Sequence, residues 1–354
     1  MFDLELKGIV KQYGKVLAVD ELALSVNSGE LLTLLGPSGC GKTTVLRSIA
    51  GLEKPDKGEI FIKGKLVNDT PVYKRNIGLV FQNYALFPHL TVFDNLAFGL
   101  KIRKIPTPEI KERVKKHLEL IRLPEIQDRY PHQLSGGQQQ RVALIRSVII
   151  EPTLLLLDEP LSNLDLKLRV QMRVELTKIQ KELGITTIFV THDQGEAMSM
   201  SDRVAVMDAG KIKQLGTPRE IYDHPQNRFV AEFIGESNVF NGKIIGNNQF
   251  ETKIQVSSDL TLVSLNPEKE TQENVCITVR PEAVKLSKKA PPSKNIVQGN
   301  IEAIENLGPY TKYHLRLKDD SRIIANISYG KNTFTYKIGE LVYAYWEPGE
   351  CTLI

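Results

Sequence analysis

The chain has 354 residues, of which 46 are basic, 42 acidic and six histidine. Hydrophobic residues at 41% and charged residues at 25% are ordinary globular values, which excludes a disordered tail, a collagen-like repeat and a disulfide-stapled miniature. A net charge of +4, with no Lys/Arg block clear of acidic neighbours, argues against a nucleic-acid partner, and the length suggests two or three domains.

Cys40, Cys276 and Cys351 are too few and too scattered for a disulfide framework or a metal site, which favours a reducing compartment. The sequence opens on Met-Phe-Asp-Leu-Glu, with acidic residues at once and no apolar signal core. No run approaches the roughly 20 apolar residues of a membrane span, so the chain is expected to be soluble by itself.

In chain order, Gly29-Glu30 introduces the apolar run Leu31–Leu35, too short for a buried helix and read as a buried strand. It breaks at Gly36, and a helix-compatible stretch follows over Lys42–Ala50. Ile77–Phe81, Leu154–Leu157 and Thr186–Val190 read as further buried strands. Helical periods cover Val92–Ile102, Pro108–Ile121, Gly137–Ile149 and Lys167–Leu183. Strands alternating with helices imply a mostly parallel sheet with helical crossovers. After about residue 235 the texture changes. Short β-rich pieces, Val275–Val279, Thr311–Leu317, Arg322–Ile327 and Leu341–Trp346, are separated by turn residues and suggest a small barrel or sandwich. Lys288–Asn295, with Pro291-Pro292, reads as an exposed connection. The domain boundary is expected near Gly235–Asn241.

Gly36-Pro37-Ser38-Gly39-Cys40-Gly41-Lys42-Thr43, continued by Thr44, fits G-x-x-x-x-G-K-[ST] between a strand and a helix. Glycines let the backbone N–H groups curl inward into an anion nest, and the helix N-terminus adds partial positive charge. Lys42 can reach the β- and γ-phosphates of a nucleotide, and the Thr43 hydroxyl can hold Mg²⁺. The strand Leu154–Leu157 ends in Asp158-Glu159, at the sheet edge where ligands of parallel sheets bind. Asp158 is placed to hold Mg²⁺ and Glu159 to orient or deprotonate the attacking water. An Asp-Glu pair alone is more often a solvated turn. Together with the phosphate loop it indicates a nucleotide triphosphatase.

Leu134-Ser135-Gly136-Gly137-Gln138, followed by Gln139-Gln140-Arg141, stands 19 residues before that strand. Ser135 suits an N-cap, with Gln138 three residues on completing a capping box. At this point the sequence resembles the ATP-binding-cassette (ABC) ATPases. In that resemblance the capped turn receives the γ-phosphate of a second ATP through Ser135, Gly136, Gly137 and Gln138. Tyr13 corresponds to the aromatic that stacks on adenine, though a strand tyrosine needs no such role. Gln82 corresponds to the glutamine that senses Mg²⁺ and the attacking water. Leu161–Asp165 resembles the loop that crosses to the partner cassette. His192 resembles the switch histidine near the γ-phosphate, a position where a lone His is usually structural. The family geometry sandwiches each ATP between Lys42 of one subunit and Ser135 of another. One set of motifs therefore implies a second copy of the chain.

Gln82–Val92, Pro160–Asp165 and Phe233–Asn238 look like importer ATPases of the maltose, polyamine, sulfate and ferric-ion type. The resemblance implies an α/β P-loop NTPase over 1–235, with a helical subdomain at about 83–153. A small all-β barrel of OB-like, TOBE/MOP type follows over 236–354, either dimer-stabilising or regulatory, with Thr278–Glu282 as a recurrent segment. It implies ATP and Mg²⁺ as cofactors and membrane permease subunits as partners, with an extracytoplasmic solute-binding protein engaged indirectly and no nucleic acid. The implied location is peripheral, on the cytoplasmic face of the inner membrane. The run after Gln82, with Tyr84, Leu86 and Phe87, would border the permease groove and also pack in the core. Phe233–Phe240 points to a polyamine or inorganic ion rather than a sugar. Gly195 stands where the pattern is usually acidic, and Ile145 and Ser147 where it has alanines. None is a phosphate contact. A soluble ABC ATPase of repair or translation would be expected to carry long coiled coils, zinc cysteines or two cassettes. A non-catalytic regulator would not retain Lys42, Asp158, Glu159 and His192 together.

Overall fold

The apolar runs expected as buried strands are strands in the computed structural model, which describes residues 2–265, 274–329 and 335–354. The chain divides into two compact units, Met1–Pro218 and Arg219–Ile354. In the first, β3 (Leu31–Leu35), β6 (Ile77–Val80), β7 (Leu154–Asp158), β8 (Thr186–Thr191) and β9 (Arg203–Asp208) pair in parallel, and β10 (Lys211–Gly216) closes the edge antiparallel to β9. Their order is β10-β9-β3-β8-β7-β6. Every residue of β3 and of β8 is buried, the pattern of a strand covered on both faces.

Alternate residues of these strands feed two cores, as the two-residue period of a strand requires. Leu32, Leu34, Leu154, Leu156, Ile188 and Val190 face one cluster with Val45, Leu46 and Ile49 of α1 (Lys42–Ala50). The same cluster takes Leu4, Leu6, Leu24 and Ile60 from an antiparallel sheet, β2-β1-β4-β5. That sheet is built from β1 (Phe2–Tyr13), β2 (Val16–Asn27), β4 (Lys57–Ile62) and β5 (Lys65–Leu66). The sequence reading places no strand before Leu31. Those segments alternate polar and apolar residues and are broken by register shifts, which blur the period.

Leu31, Leu155, Leu157 and Phe189 face the opposite cluster. It is filled by α2 (Val92–Ile102), α3 (Thr107–Leu120), α4 (Gly136–Val148) and α5 (Leu166–Leu183), with Met200 of α6 (Gln194–Met200). Helices α2 to α5 begin and end within a residue of the periods read from sequence, which did not mark α6. Their N-caps explain why: Thr91, Ser135 and Asp165 accept backbone N–H bonds at the starts of α2, α4 and α5.

The second unit begins in α7 (Pro218–Asp223), followed by α8 (Arg228–Phe233) and ten strands among the described residues. They are β11 (Asn238–Asn247), β12 (Thr252–Gln255), β13 (Thr261–Ser264), β14 (Val275–Val279), β15 (Lys285–Ser287), β16 (Asn295–Asn306), β17 (Tyr310–Leu317), β18 (Arg322–Ser328), β19 (Leu341–Trp346) and β20 (Cys351–Leu353). They pair antiparallel as β13-β12-β11-β14-β20 and β15-β19-β16-β17-β18. Phe240, Ile277, Leu315, Val342 and Trp346 lie in the core between them.

Arg280 fixes the two helices to this β structure. Its guanidinium donates to the carbonyls of Ala231, Ile234 and Tyr222 and to Ser237 Oγ, and lies 4.2 Å from the Tyr222 ring centroid. The connection expected over Lys288–Asn295 is a loop only to Lys294. Asn295 is fully buried, bonding the backbone of Val263 through both ends of its amide. Among the described residues, no helix is long and apolar enough to cross a membrane.

Candidate functional site

The phosphate loop turns between β3 and α1 in a space only glycine fits at two points. A Cβ on Gly36 would lie 2.3 Å from the Met207 carbonyl, and one on Gly41 2.2 Å from that of Ala18. Gly41 also has φ +106°, a conformation that side chains resist. The loop is thereby wedged between β2 and the β9–β10 hairpin, and Gly210 N–H donates to the Cys40 carbonyl. Lys42 is 5% exposed and folds back over the loop, donating to the carbonyls of Gly36 (2.8 Å) and Pro37 (2.9 Å). Cys40 lies under it, and burial pushes its thiol pKa up.

At the carboxyl end of β7, Asp158 accepts a bond from the Thr43 hydroxyl at 3.2 Å. Burial raises the Asp158 pKa, against the lowering effect of that bond and of Arg47. A half-buried carboxylate beside a hydroxyl is an oxygen donor set that suits a hard cation. Among the described residues no three His, Cys, Asp or Glu side chains cluster to cage a metal. A cation here would therefore complete its shell with phosphate oxygens and water.

Glu159 has a left-handed backbone, φ +45°, and its N–H donates to the Val190 carbonyl of β8. This turn carries its carboxylate across to the end of β8, where Oε1 lies 3.2 Å from His192 Nδ1. Five residues read from sequence, Lys42, Thr43, Asp158, Glu159 and His192, thus come from the ends of three adjacent strands to one sheet edge. Gln82, just past β6, is exposed, and its carbonyl accepts from Asn163 Nδ2 at 2.9 Å. Tyr13 ends β1, 44% exposed, with Lys11 Nζ 5.4 Å from its ring centroid.

Ser135 caps α4 through a full capping box with Gln138. Its turn does not share the phosphate loop's neighbours. Gly136 and Gly137 approach Leu164 and Leu168, at the turn into α5 that Asp165 caps. The loop after Gln82 is strained, with φ +61° at Tyr84 and +45° at Ala85. Arg146 of α4 holds it by donating to both carbonyls and lying 5.2 Å from the Phe87 ring centroid. Of Tyr84, Leu86 and Phe87, expected to pack in the core with some of them exposed, Tyr84 is buried at 6% exposure, and Leu86 and Phe87 are half-buried. The accessible apolar surface is instead Phe87 with Phe98, rings 4.7 Å apart.

Four residues to which the sequence reading gave no role join this edge. Thr191 donates to buried Glu196 at 2.6 Å, and Arg169 pairs with Asp193 at 3.3 Å. Spacing offers a signal for half of this: Asp193 and Glu196 stand at capping distance, and Asp193 caps α6. Arg169 lies on another element and has no such signal.

The ABC transporter family model matches residues 19–162, and the TOBE domain model matches residues 277–354. The chain is 44% identical to the spermidine/putrescine import ATP-binding protein PotA of Trichodesmium erythraeum (strain IMS101), over 99% of this chain and 93% of that protein. It is 46% identical to the protein of the same name from Thermobifida fusca (strain YX), over 94% and 87%. Among solved structures it resembles cbiO1 from Clostridium perfringens, part of the ABC transporter complex cbiONQ. The TM-score is 0.59 at 32% identity, covering 62% of this chain and 90% of that one. It also resembles the ATP-binding cassette MJ0796, solved as a dimer in a post-hydrolysis state bound to ADP and Pi. There the TM-score is 0.55 at 32% identity, over 61% and 99%. A phosphate loop closed by two obligatory glycines, a carboxylate pair at the next strand but one, and likeness over nearly the whole length lead to one assignment: the chain belongs to the ABC transporter ATPases, binding and hydrolysing ATP, with a TOBE domain at its C-terminal end.

Proposed function

We propose that this chain is the ATP-hydrolysing subunit of a polyamine importer, acting as a homodimer around two ATP molecules and driving membrane permease subunits fed by an external solute-binding protein. The observation that carries this reading is the division of motifs. Lys42, Thr43, Asp158, Glu159 and His192 meet at one sheet edge, while the Ser135 turn packs over the start of α5. One chain then supplies half of each site. The names of the relatives support polyamine over an inorganic ion, and the cassette solved as a dimer supports pairing. The place of work is the cytoplasmic face of the membrane. The motor proposed over residues 1–235 takes in the whole first unit, Met1–Pro218, and the short helices that open the second; the remainder regulates or stabilises it.

Within the site, the loop N–H groups of residues 37–44 and Lys42 hold the phosphates, and Tyr13 stacks on the base. Thr43, Asp158 and Gln82 would hold Mg²⁺, which supplies charge neutralisation on the phosphate oxygens. Glu159 orients and deprotonates the attacking water, and His192 holds the Glu159 carboxylate and steadies the γ-phosphate. Ser135 to Gln138, with Asp165 beside them, close the site of the partner copy. Most of the rate then comes from fixed positions and charge rather than covalent chemistry.

Glu159→Gln keeps the shape and removes the base. ATP binding should persist and an ATP-bound dimer accumulate in size-exclusion chromatography, while phosphate release falls at least about 100-fold. Undiminished hydrolysis would remove Glu159 from this role.

A further inference from the structure

Arg169 lies one turn into α5 and reaches two segments that also meet through Glu159 and His192. Its Nη2 donates to the carbonyl of Leu164 at 3.2 Å, with that of Ser162 at 3.5 Å, in the loop leading to Asp165. Its Nη1 donates to Asp193 Oδ2 at 3.3 Å, next to His192. Its Nε stands 3.8 Å from Glu196 Oε1, and among the described residues this buried nitrogen makes no hydrogen bond of its own. Between these groups is a cavity of about 60 Å³, lined by Glu159, Ser162, Thr191 and His192 as well as by the three charged residues. It is polar and roomy enough for a bridging water.

The contacts close a ring. Glu159 O accepts from the Ser162 amide (3.3 Å) and hydroxyl (2.9 Å). The Ser162 carbonyl faces Arg169, Arg169 faces Asp193, and the adjacent His192 returns to the Glu159 carboxylate. Asp193 is held from its other side by Arg173, 3.7 Å away. Gly195 leaves room for that approach, since a Cβ there would lie 3.1 Å from Arg173 Nη1. Glu196 is fixed by Thr191. Each end of the Arg169 guanidinium therefore meets an anchored partner. A planar fork with five donors can span them, whereas a single ammonium cannot.

We propose that Arg169 is a positioning residue for ATP hydrolysis. It ties the loop that precedes Asp165 to the segment carrying His192, and so sets the Glu159–His192 geometry without touching nucleotide. The proposal rests on the roles given above to Glu159 and His192. Displacement of a catalytic group by about 1 Å costs roughly 100-fold in rate, so loss of the tie should appear in turnover and not in binding.

The test is steady-state ATPase of the full chain with Arg169→Ala and Arg169→Lys. The expected result for Arg169→Ala is a kcat lower by about 10- to 100-fold, with KM for ATP and the affinity for a fluorescent ATP analogue within about two-fold of wild type. Arg169→Lys, which can satisfy one end only, should recover part of kcat. A kcat within two-fold of wild type in Arg169→Ala overturns the proposal, as does a loss of kcat matched by an equal loss of nucleotide affinity. If Arg169→Ala does not fold, Asp193→Asn keeps the cap on α6 and removes the charge facing Arg169. The same split of kcat from KM then supports the proposal, and an unchanged kcat overturns it. Wild-type turnover that is insensitive to Glu159→Gln would instead sink the underlying site reading.

Discussion

At the scale of single residues, the site is assembled against the local preferences of its members. Asp158 is a carboxylate in a half-buried place where burial raises its pKa. Such a group binds its proton more tightly folded than unfolded, so it removes stability as pH rises from the ordinary carboxylate range through the raised value. Asp158→Asn keeps an acceptor for Thr43 and abolishes that penalty. In nucleotide-free protein at pH 7, Tm should rise by about one to a few degrees while ATP turnover is lost. An unchanged or lower Tm would show that the Asp158 charge is already compensated. Lys42 is buried as well, its ammonium held by two carbonyls that bound phosphate would replace.

At the scale of elements, α4 links two functions. Its first turn is the Ser135 capping box, and its last turn carries Arg146, which clamps the carbonyls of Tyr84 and Ala85. A displacement of the loop after Gln82 is therefore felt along the helix that presents Ser135. In the proposed importer Phe87, half-buried against Phe98 and Arg146, is the aromatic of that loop assigned to the permease contact. Phe87→Ala should lower transport in reconstituted vesicles by at least about ten-fold, with ATPase activity of the separate subunit within two-fold of wild type. An equal fall in both would make Phe87 a packing residue only. Tyr84 is unsuited to the experiment, because its burial makes any truncation a core defect.

At the scale of the whole molecule, the two units have separate cores among the described residues: Leu215 is the last residue packed against the clusters of the first, and Phe240 the first in that of the second. All the residues proposed for the nucleotide site fall in the first. Calorimetry should resolve two transitions, of which saturating ATP with Mg²⁺ raises only one. At 100 times Kd the gain is about 2.7 kcal/mol. A single transition, or equal shifts of two, would show that the units unfold together. Alkaline titration offers a separate handle on the second unit. Burial, then the Glu282 carboxylate beside its hydroxyl, pushes the Tyr222 pKa up to about 12. It should therefore ionise after exposed tyrosines, and the stability it contributes is lost between about pH 10 and pH 12.

The sequence alone determined four strands of the parallel sheet and the limits of α1 to α5, and it named the residues proposed to bind nucleotide. Their signals are local: an apolar run that must be a buried strand, a capping residue, glycines at fixed offsets around a lysine. The phosphate loop was legible because Gly36 and Gly41 are demanded by contacts that no other residue allows. The antiparallel sheet of β1, β2, β4 and β5 was not legible, since its register shifts break the two-residue period. The burial of Asn295 was not either, because it depends on pairing with Val263, distant in sequence. Only the tertiary structure decided that Tyr84 is core while Phe87 is accessible, that Glu159 turns through a left-handed backbone to meet His192, and that Arg169 stands between two loops. Each depends on which side chain from another element fills a particular space. No periodicity within one segment encodes that.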